Sequence, residues 1–184
     1  GFESLYKNTT GASNTAVGKW ALYDNTTGAS NIAIGRDALQ NNTTANNNTA
    51  VGYAAGFTNT TGSEITALGY HALYANTTGA SNVAVGYAAA GSNTTGANNV
   101  AMGRQALASN TTASNSTAVG YQAGYTNTTG KIDSFGQGSL YNNSTGVSNA
   151  AFGATALNAN TTGNYNTAMG GGSSGIYGAL QSNT

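Results

Sequence analysis

The sequence predicts an all-β protein, a parallel β-roll or β-solenoid built from coils of 17 residues. Three observations predict it. A glycine closes an Ala-Val-Gly-like tripeptide at Gly18, Gly35, Gly52, Gly69, Gly86, Gly103 and Gly120, always 17 residues apart. It returns at Gly136, one residue early, and then at Gly153 and Gly170. Second, Asn-Thr-Thr keeps the same phase from Asn8, Asn25, Asn42, Asn59, Asn76, Asn93, Asn110, Asn127 and Asn160, with Asn-Ser-Thr at Asn143. Third, a 17-residue unit is too short for two helices and a turn, and it is rich in Thr, Asn and Gly, all poor helix formers.

The consensus N-T-A-V-G-x-x-A-L-x-x-N-T-T-G-x-S justifies each element in turn. Thr-Ala-Val suits a short strand, the Gly after it a bend, and Asn-Thr-Thr a second short strand with its own turn. The slot before the Gly is always bulky: Val17, Ile34, Val51, Leu68, Val85, Met102, Val119, Phe135, Phe152 and Met169. The slot before that is Ala except at Ser134. Neighbours on a strand point to opposite faces, so the bulky column is expected to form the core and the Ala column to meet a close backbone. Stacked in register about 4.8 Å apart, about eleven coils would make a rod roughly 50 Å long. In such a stack, Asn columns can pair amide to amide. A weaker period of 34 overlies this. Leu22, Leu39, Leu73 and Leu107 alternate with Gly56, Ala90 and Gly124, which suggests only that alternate coils pack differently.

Composition narrows the function. Gly, Ala, Thr, Asn and Ser make up 129 of the 184 residues, while Leu, Ile, Val and Phe number 25. One coil carries so few large apolar groups that lateral association, most simply a cyclic homo-oligomer, is expected to bury more surface. Charged residues are 5% and the net charge is zero, which argues against nucleic-acid or anionic-membrane partners. No apolar run reaches the ~20 residues of a membrane helix. There is no Cys, so no thiol chemistry.

The Asn-Thr-Ala-Val-Gly pattern, in Asn14 to Gly18, Asn31 to Gly35, Asn48 to Gly52, Asn82 to Gly86, Asn99 to Gly103 and Asn166 to Gly170, resembles the YadA-like head repeats of trimeric autotransporter adhesins. Similar runs occur in bacteriophage tail fibres. The resemblance implies a left-handed parallel β-roll, three chains side by side, and a non-catalytic adhesive or spacer role. The added Asn-Thr-Thr-Gly arm makes each unit here longer than the usual head repeat.

Residues 1-184 therefore read as one repeat array, an excerpt of a longer fibre protein, irregular at 131-133, where Lys-Ile-Asp replaces the usual approach, and at 170-176, a Gly- and Ser-rich loop. No catalytic, metal or cofactor site is expected. The single His71 reads as a packing or solvated residue. Glu3, Asp24, Asp37, Glu64 and Asp133 fall in different coils, with Asp24 and Asp37 able to approach across two of them. Tyr6, Tyr23, Tyr53, Tyr70, Tyr74, Tyr87, Tyr121, Tyr125 and Tyr141 read as edge or seam shields, or alternatively as a strip for carbohydrate or surface contact. The ten Asn-Thr-Thr and Asn-Ser-Thr triplets are also glycosylation sequons. The expected function is a structural or adhesive segment of an extracellular fibre on a cell surface or virion. Its partners would be further copies of itself and a host-surface glycan or protein. A tail-fibre shaft is the alternative, and an ice-binding solenoid or a glycan-cleaving spike fits less well.

Overall fold

The computed structural model describes residues 1–171. Ten short strands, one per coil, form a single parallel sheet in sequence order. They are β1 (Thr15–Val17), β2 (Ile32–Ile34), β3 (Thr49–Val51), β4 (Thr66–Leu68), β5 (Val83–Val85), β6 (Val100–Met102), β7 (Thr117–Val119), β8 (Ile132–Phe135), β9 (Asn149–Phe152) and β10 (Thr167–Met169). The register places like on like: Ala16 pairs with Ala33, and Val17 with Ile34. Nine steps of about 4.8 Å make the stack roughly 43 Å long. The chain is a β-solenoid whose coil is the 17-residue repeat, and there is no helix among the described residues.

The strand faces are the reverse of the sequence expectation. The Ala column (Ala33, Ala50, Ala67, Ala84, Ala101, Ala118 and Ala151) is wholly buried inside the coil. The bulky column, from Val17 to Met169, points outward, with Val17 56%, Ile34 40% and Met169 75% exposed. The physical reason is the width of the coil. A single 17-residue lap encloses a narrow lumen, and that lumen already holds Leu22, Leu39, Leu73, Leu107, Leu140 and Leu157 beside a second Ala column, including Ala21 and Ala38. Only a methyl group fits opposite them. Alternation shows that two residues point apart; it does not show which one points in.

The expected second strand is also absent. Asn-Thr-Thr is a bend, yet it is bonded from coil to coil. The Thr26 carbonyl accepts from the amides of Thr9 at 2.9 Å, Thr10 at 3.1 Å and Gly11 at 3.3 Å, and from the Thr9 hydroxyl at 2.8 Å. Three amides converging on one carbonyl curve the backbone and leave no strand geometry.

Two side-chain ladders run through the interior. In the first, each sequon Asn donates from Nδ2 to Oδ1 of the Asn one coil earlier: Asn42 to Asn25 at 2.9 Å, Asn59 to Asn42 at 3.0 Å, Asn76 to Asn59 at 2.8 Å. The same Nδ2 donates to a carbonyl three residues ahead, as from Asn59 to Gly62 at 2.9 Å. In the second ladder, Asn31 and Asn48 accept from the amide one coil ahead and donate to carbonyls 14 residues ahead. The two ladders thus satisfy one another's amides and carbonyls. In the folded chain the sequon Asn side chains are members of the first ladder. Asn25, Asn42, Asn59, Asn76, Asn93, Asn110, Asn127, Asn143 and Asn160 are completely buried, and the nitrogen a glycan would occupy is already bonded. Asn8, in the first coil, is half-buried and donates to the Gly11 carbonyl at 3.0 Å.

The turn glycines have φ between +117° and +137°, a region essentially closed to other residues. Their spacing adds a second demand: a Cβ on Gly52 would lie 2.5 Å from the Gly69 carbonyl oxygen. The remaining corners use ordinary residues in the left-handed region, such as Trp20, Leu22 and Ser30, with φ of 60°, 53° and 58°. Each costs roughly 1–2 kcal/mol. In return, amides point alternately along the axis: Trp20 donates to Phe2 in the coil before, and Leu22 to Ala38 in the coil after.

The structure also accounts for two irregularities. In the coil ending at Gly136, the shortening falls between Gly130 and Ile132, where Lys131 stands without the left-handed corner residue that the other coils supply as Asn98, Asn115 or Ser148. The strand register survives, with Val119 paired to Phe135. Ser134 then occupies the buried Ala slot, and its hydroxyl pairs with that of Ser139 at 2.6 Å. The period of 34 is in part an exchange of volume. Where Leu gives way to Gly56 or Gly124, the next coil replaces its ladder Asn with Ile65 or Ile132, whose Cδ1 atoms point into the vacated space. Of the expected loop at 170-176, residues 172 onward lie outside the described residues.

Candidate functional site

The exposed groups are arranged in columns, because every coil repeats the same directions. The outer strand face carries two. One is the bulky column. The other alternates Thr15, Ile32, Thr49, Thr66, Val83, Val100, Thr117, Asp133, Ala150 and Thr167. The result is a largely apolar, nearly uncharged sheet face ten strands long. Phe135 and Phe152 stack on it at 5.1 Å.

Just past the glycine bend runs a column of cations and tyrosines. Tyr53 stacks on Tyr70 at 5.3 Å and Tyr70 on Tyr87 at 5.2 Å. The guanidinium of Arg36 lies 5.7 Å from the Tyr53 ring, and that of Arg104 lies 5.5 Å and 5.8 Å from Tyr87 and Tyr121. Arg stacks well because its charge is planar and delocalised. Four residues further along, a second column holds Tyr6 on Tyr23 at 5.4 Å, Phe57 on Tyr74 at 5.3 Å, and Tyr125 on Tyr141 at 5.0 Å. The tyrosines singled out in the sequence therefore form two solvent-facing ladders.

Among the described residues the charged groups form two ion pairs and no larger cluster. Lys7 pairs with Asp24 at 2.6 Å, which raises the lysine pKa. Asp37, nearly buried, meets the Arg36 side chain at 3.1 Å, and its second oxygen is without a partner. Glu3 accepts from the Trp20 indole at 2.8 Å and Glu64 from the Ser81 hydroxyl at 3.0 Å. Asp24 and Asp37 each engage a cation rather than one another. Asp133 stands in the outer Thr column. His71 packs among Tyr53, Tyr70 and Tyr74, and burial lowers its pKa. Among the described residues no group of three His, Cys, Asp or Glu could hold a metal ion, and no helix is long and apolar enough to cross a membrane. What sequence reasoning missed is the outward sheet face. The Ala beside it, replaced only by Ser134, was the available signal, since a residue held that small marks the inside of a narrow coil.

The chain matches no protein-family model, no curated protein and no solved structure.

Proposed function

We propose that this chain is a non-enzymatic structural and adhesive segment of an extracellular fibre, and that it works as a homotrimer. The observation that carries the reading is the outer face of β1–β10. A single chain leaves Val17, Ile34, Val51, Met102, Phe152 and Met169 in solvent, in one continuous row. Contiguous apolar surface of this extent marks an interaction site. A repeating face suits a copy of itself, since every coil then meets an equivalent coil. Three chains around one axis bury the row as a shared core. In this arrangement the bulky column is the seam. The rod then stands as a stiff spacer whose aromatic columns face outward, to be carried on a cell surface or a phage tail fibre. No reaction is assigned to it, because its carboxylates and its one His are dispersed.

Light scattering on the purified chain tests the subunit count, with a mass of three chains expected; a clean monomer removes the trimer. Adhesion of chain-coated beads to host cells separates an adhesive head from a passive shaft. The exposed Thr and Val columns also favour, more weakly, an ice-binding face. Ile32, Val83, Val100, Asp133 and Ala150 interrupt its Thr rank, and thermal hysteresis measured on the same sample decides it.

A further inference from the structure

The second aromatic column has a gap. Its slot holds Phe57 and Tyr74, then Gly91 and Ala108, then Tyr125 and Tyr141. Tyr74 stacks on Phe57 and Tyr125 on Tyr141, and the His71 ring lies tilted 4.5 Å from Tyr74. Between Tyr74 and Tyr125 lies a trough three coil steps long, roughly 14 Å, from which two rings are missing. A cavity of ≈ 250 Å³ fills it, lined by His71, Tyr74, Ala88, Ser92, Ser109 and Tyr125 together with the two small residues. The Ser92 and Ser109 hydroxyls stand at its rim with no hydrogen-bond partner among the described residues, unlike Thr58 and Thr126 in the same slot, which bond to backbone carbonyls.

We infer that this trough binds a two-residue stretch of a neutral glycan, one pyranose against Tyr74 and the next against Tyr125. Four features select that ligand. Two ring places are vacant, so two rings complete the column. Tyr faces take the C–H face of a sugar while their hydroxyls remain available at the edge. The free Ser hydroxyls supply both donor and acceptor for sugar hydroxyls. The lining contains no Lys, Arg, Asp or Glu, and burial lowers the pKa of its His71, so near neutral pH an anionic or cationic ligand finds no counter-charge. The volume, just under the range of drug-sized pockets, fits a short saccharide. The trough lies within one chain, beyond the glycine bend from the outer sheet face. The inference therefore goes beyond the fibre reading and needs neither three chains nor an extracellular place.

The test is an NMR titration of the purified chain with cellobiose, lactose, maltose and N,N′-diacetylchitobiose, with glucose and lactobionate as monosaccharide and anionic comparisons. At least one neutral disaccharide should shift the Ser92 and Ser109 amides and the Tyr74 and Tyr125 rings, and bind about tenfold more tightly than glucose. Ala108→Tyr, which places in the gap the residue already present at Tyr125 and Tyr141, should abolish the shifts with circular dichroism unchanged. If that variant does not fold, Tyr125→Ala serves instead, since Ala108 already occupies the same slot. The double variant Ser92→Ala, Ser109→Ala should weaken binding about tenfold, the loss expected of two hydrogen bonds. The inference falls if no disaccharide shifts these resonances, if the folded blocking variant or Tyr125→Ala binds as well as the native chain, or if lactobionate binds more tightly than the neutral sugars.

Discussion

The Asn59 side chain donates to Asn42 Oδ1 across 3.0 Å and to the Gly62 carbonyl across 2.9 Å, while its own oxygen accepts from Asn76 at 2.8 Å. One buried amide thus joins three consecutive coils. Asn59→Ala removes all three bonds; Asn42 Oδ1 and the Gly62 carbonyl keep a bond from Asn48 Nδ2, while one Nδ2 hydrogen of Asn76 is left unpaired in the interior. At about 1 kcal/mol for each bond lost and about 1–3 kcal/mol for the unsatisfied buried donor, the loss should be about 4 kcal/mol, read as a lower midpoint in urea. Asn59→Asp should be worse, because it sets a carboxylate against Asn42 Oδ1 and the Gly62 carbonyl. A variant within 1 kcal/mol of the native chain would mean that the ladder is decoration.

The glycine column allows a controlled comparison. A Cβ at Gly52 would lie 2.5 Å from the Gly69 oxygen, whereas at Gly170 nothing among the described residues lies within 4 Å. Both have φ in the glycine region, 137° and 117°. Gly52→Ala therefore incurs both backbone strain and a collision, about 4 kcal/mol together. Gly170→Ala incurs strain alone, about 1–2 kcal/mol. Thermal melts of the two variants should rank in that order.

How far the sequence carried the fold can be judged from particular columns. The lap length, the parallel register and the stacking of Asn on Asn all follow from the strict recurrence of Gly18 to Gly120, because identical slots repeat only if each lap closes. The inside and the outside did not follow. Val17 and Ala16 alternate under either assignment, and the choice depends on how wide the lumen is, which no spacing encodes. The aromatic gap at Gly91 and Ala108 was written in the sequence as two missing rings. It becomes a trough only once Tyr74 and Tyr125 are known to stand in one solvent-facing row.

Orientation of the strand is tested by neighbours. Ala67 is buried inside the coil and Leu68 faces outward. Ala67→Leu forces three extra carbons into a filled lumen and should cost about 3 kcal/mol or prevent folding. Leu68→Lys should leave the melting of the isolated coil stack within about 0.5 kcal/mol and, if three chains associate through this face, dissociate them in light scattering. The opposite pattern would restore the bulky column to the core.

His71 is the sole histidine, so stability between pH 5 and 7 reports on it. Burial lowers its pKa from 6.5. The unfolded chain therefore takes up the proton first. Stability should be full above about pH 6.5 and decline as the pH falls through the lower folded value. The ring is only partly buried, so the effect on Tm should be small, about a degree or two. His71→Gln, with the residue that Gln105 and Gln122 place in the same slot, should flatten the profile in this window. An unchanged profile would assign the dependence to another group.

The exchange between Gly56 and Ile65 calls for a double-mutant cycle. Gly56 has φ of 62°, the conformation that Leu39 and Leu73 adopt in the same slot at 48° and 51°. A Leu at 56 is therefore no more strained than its neighbours, but its Cβ would lie 2.9 Å from Leu39 Cδ2 and 3.5 Å from Ile65 Cδ1. Gly56→Leu alone should overpack the lumen, at about 2–3 kcal/mol. Ile65→Asn alone leaves a void beside Gly56 and should cost about 2 kcal/mol, partly offset by a new ladder amide between Asn48 and Asn82. Together they recreate the pairing of Leu39 with Asn48, so the double variant should lie within about 1 kcal/mol of the native chain. The coupling, about 3 kcal/mol, would exceed what distant sites show. Additive losses in urea titrations would mean that the two positions do not share one space, and the 34-residue alternation would need another cause.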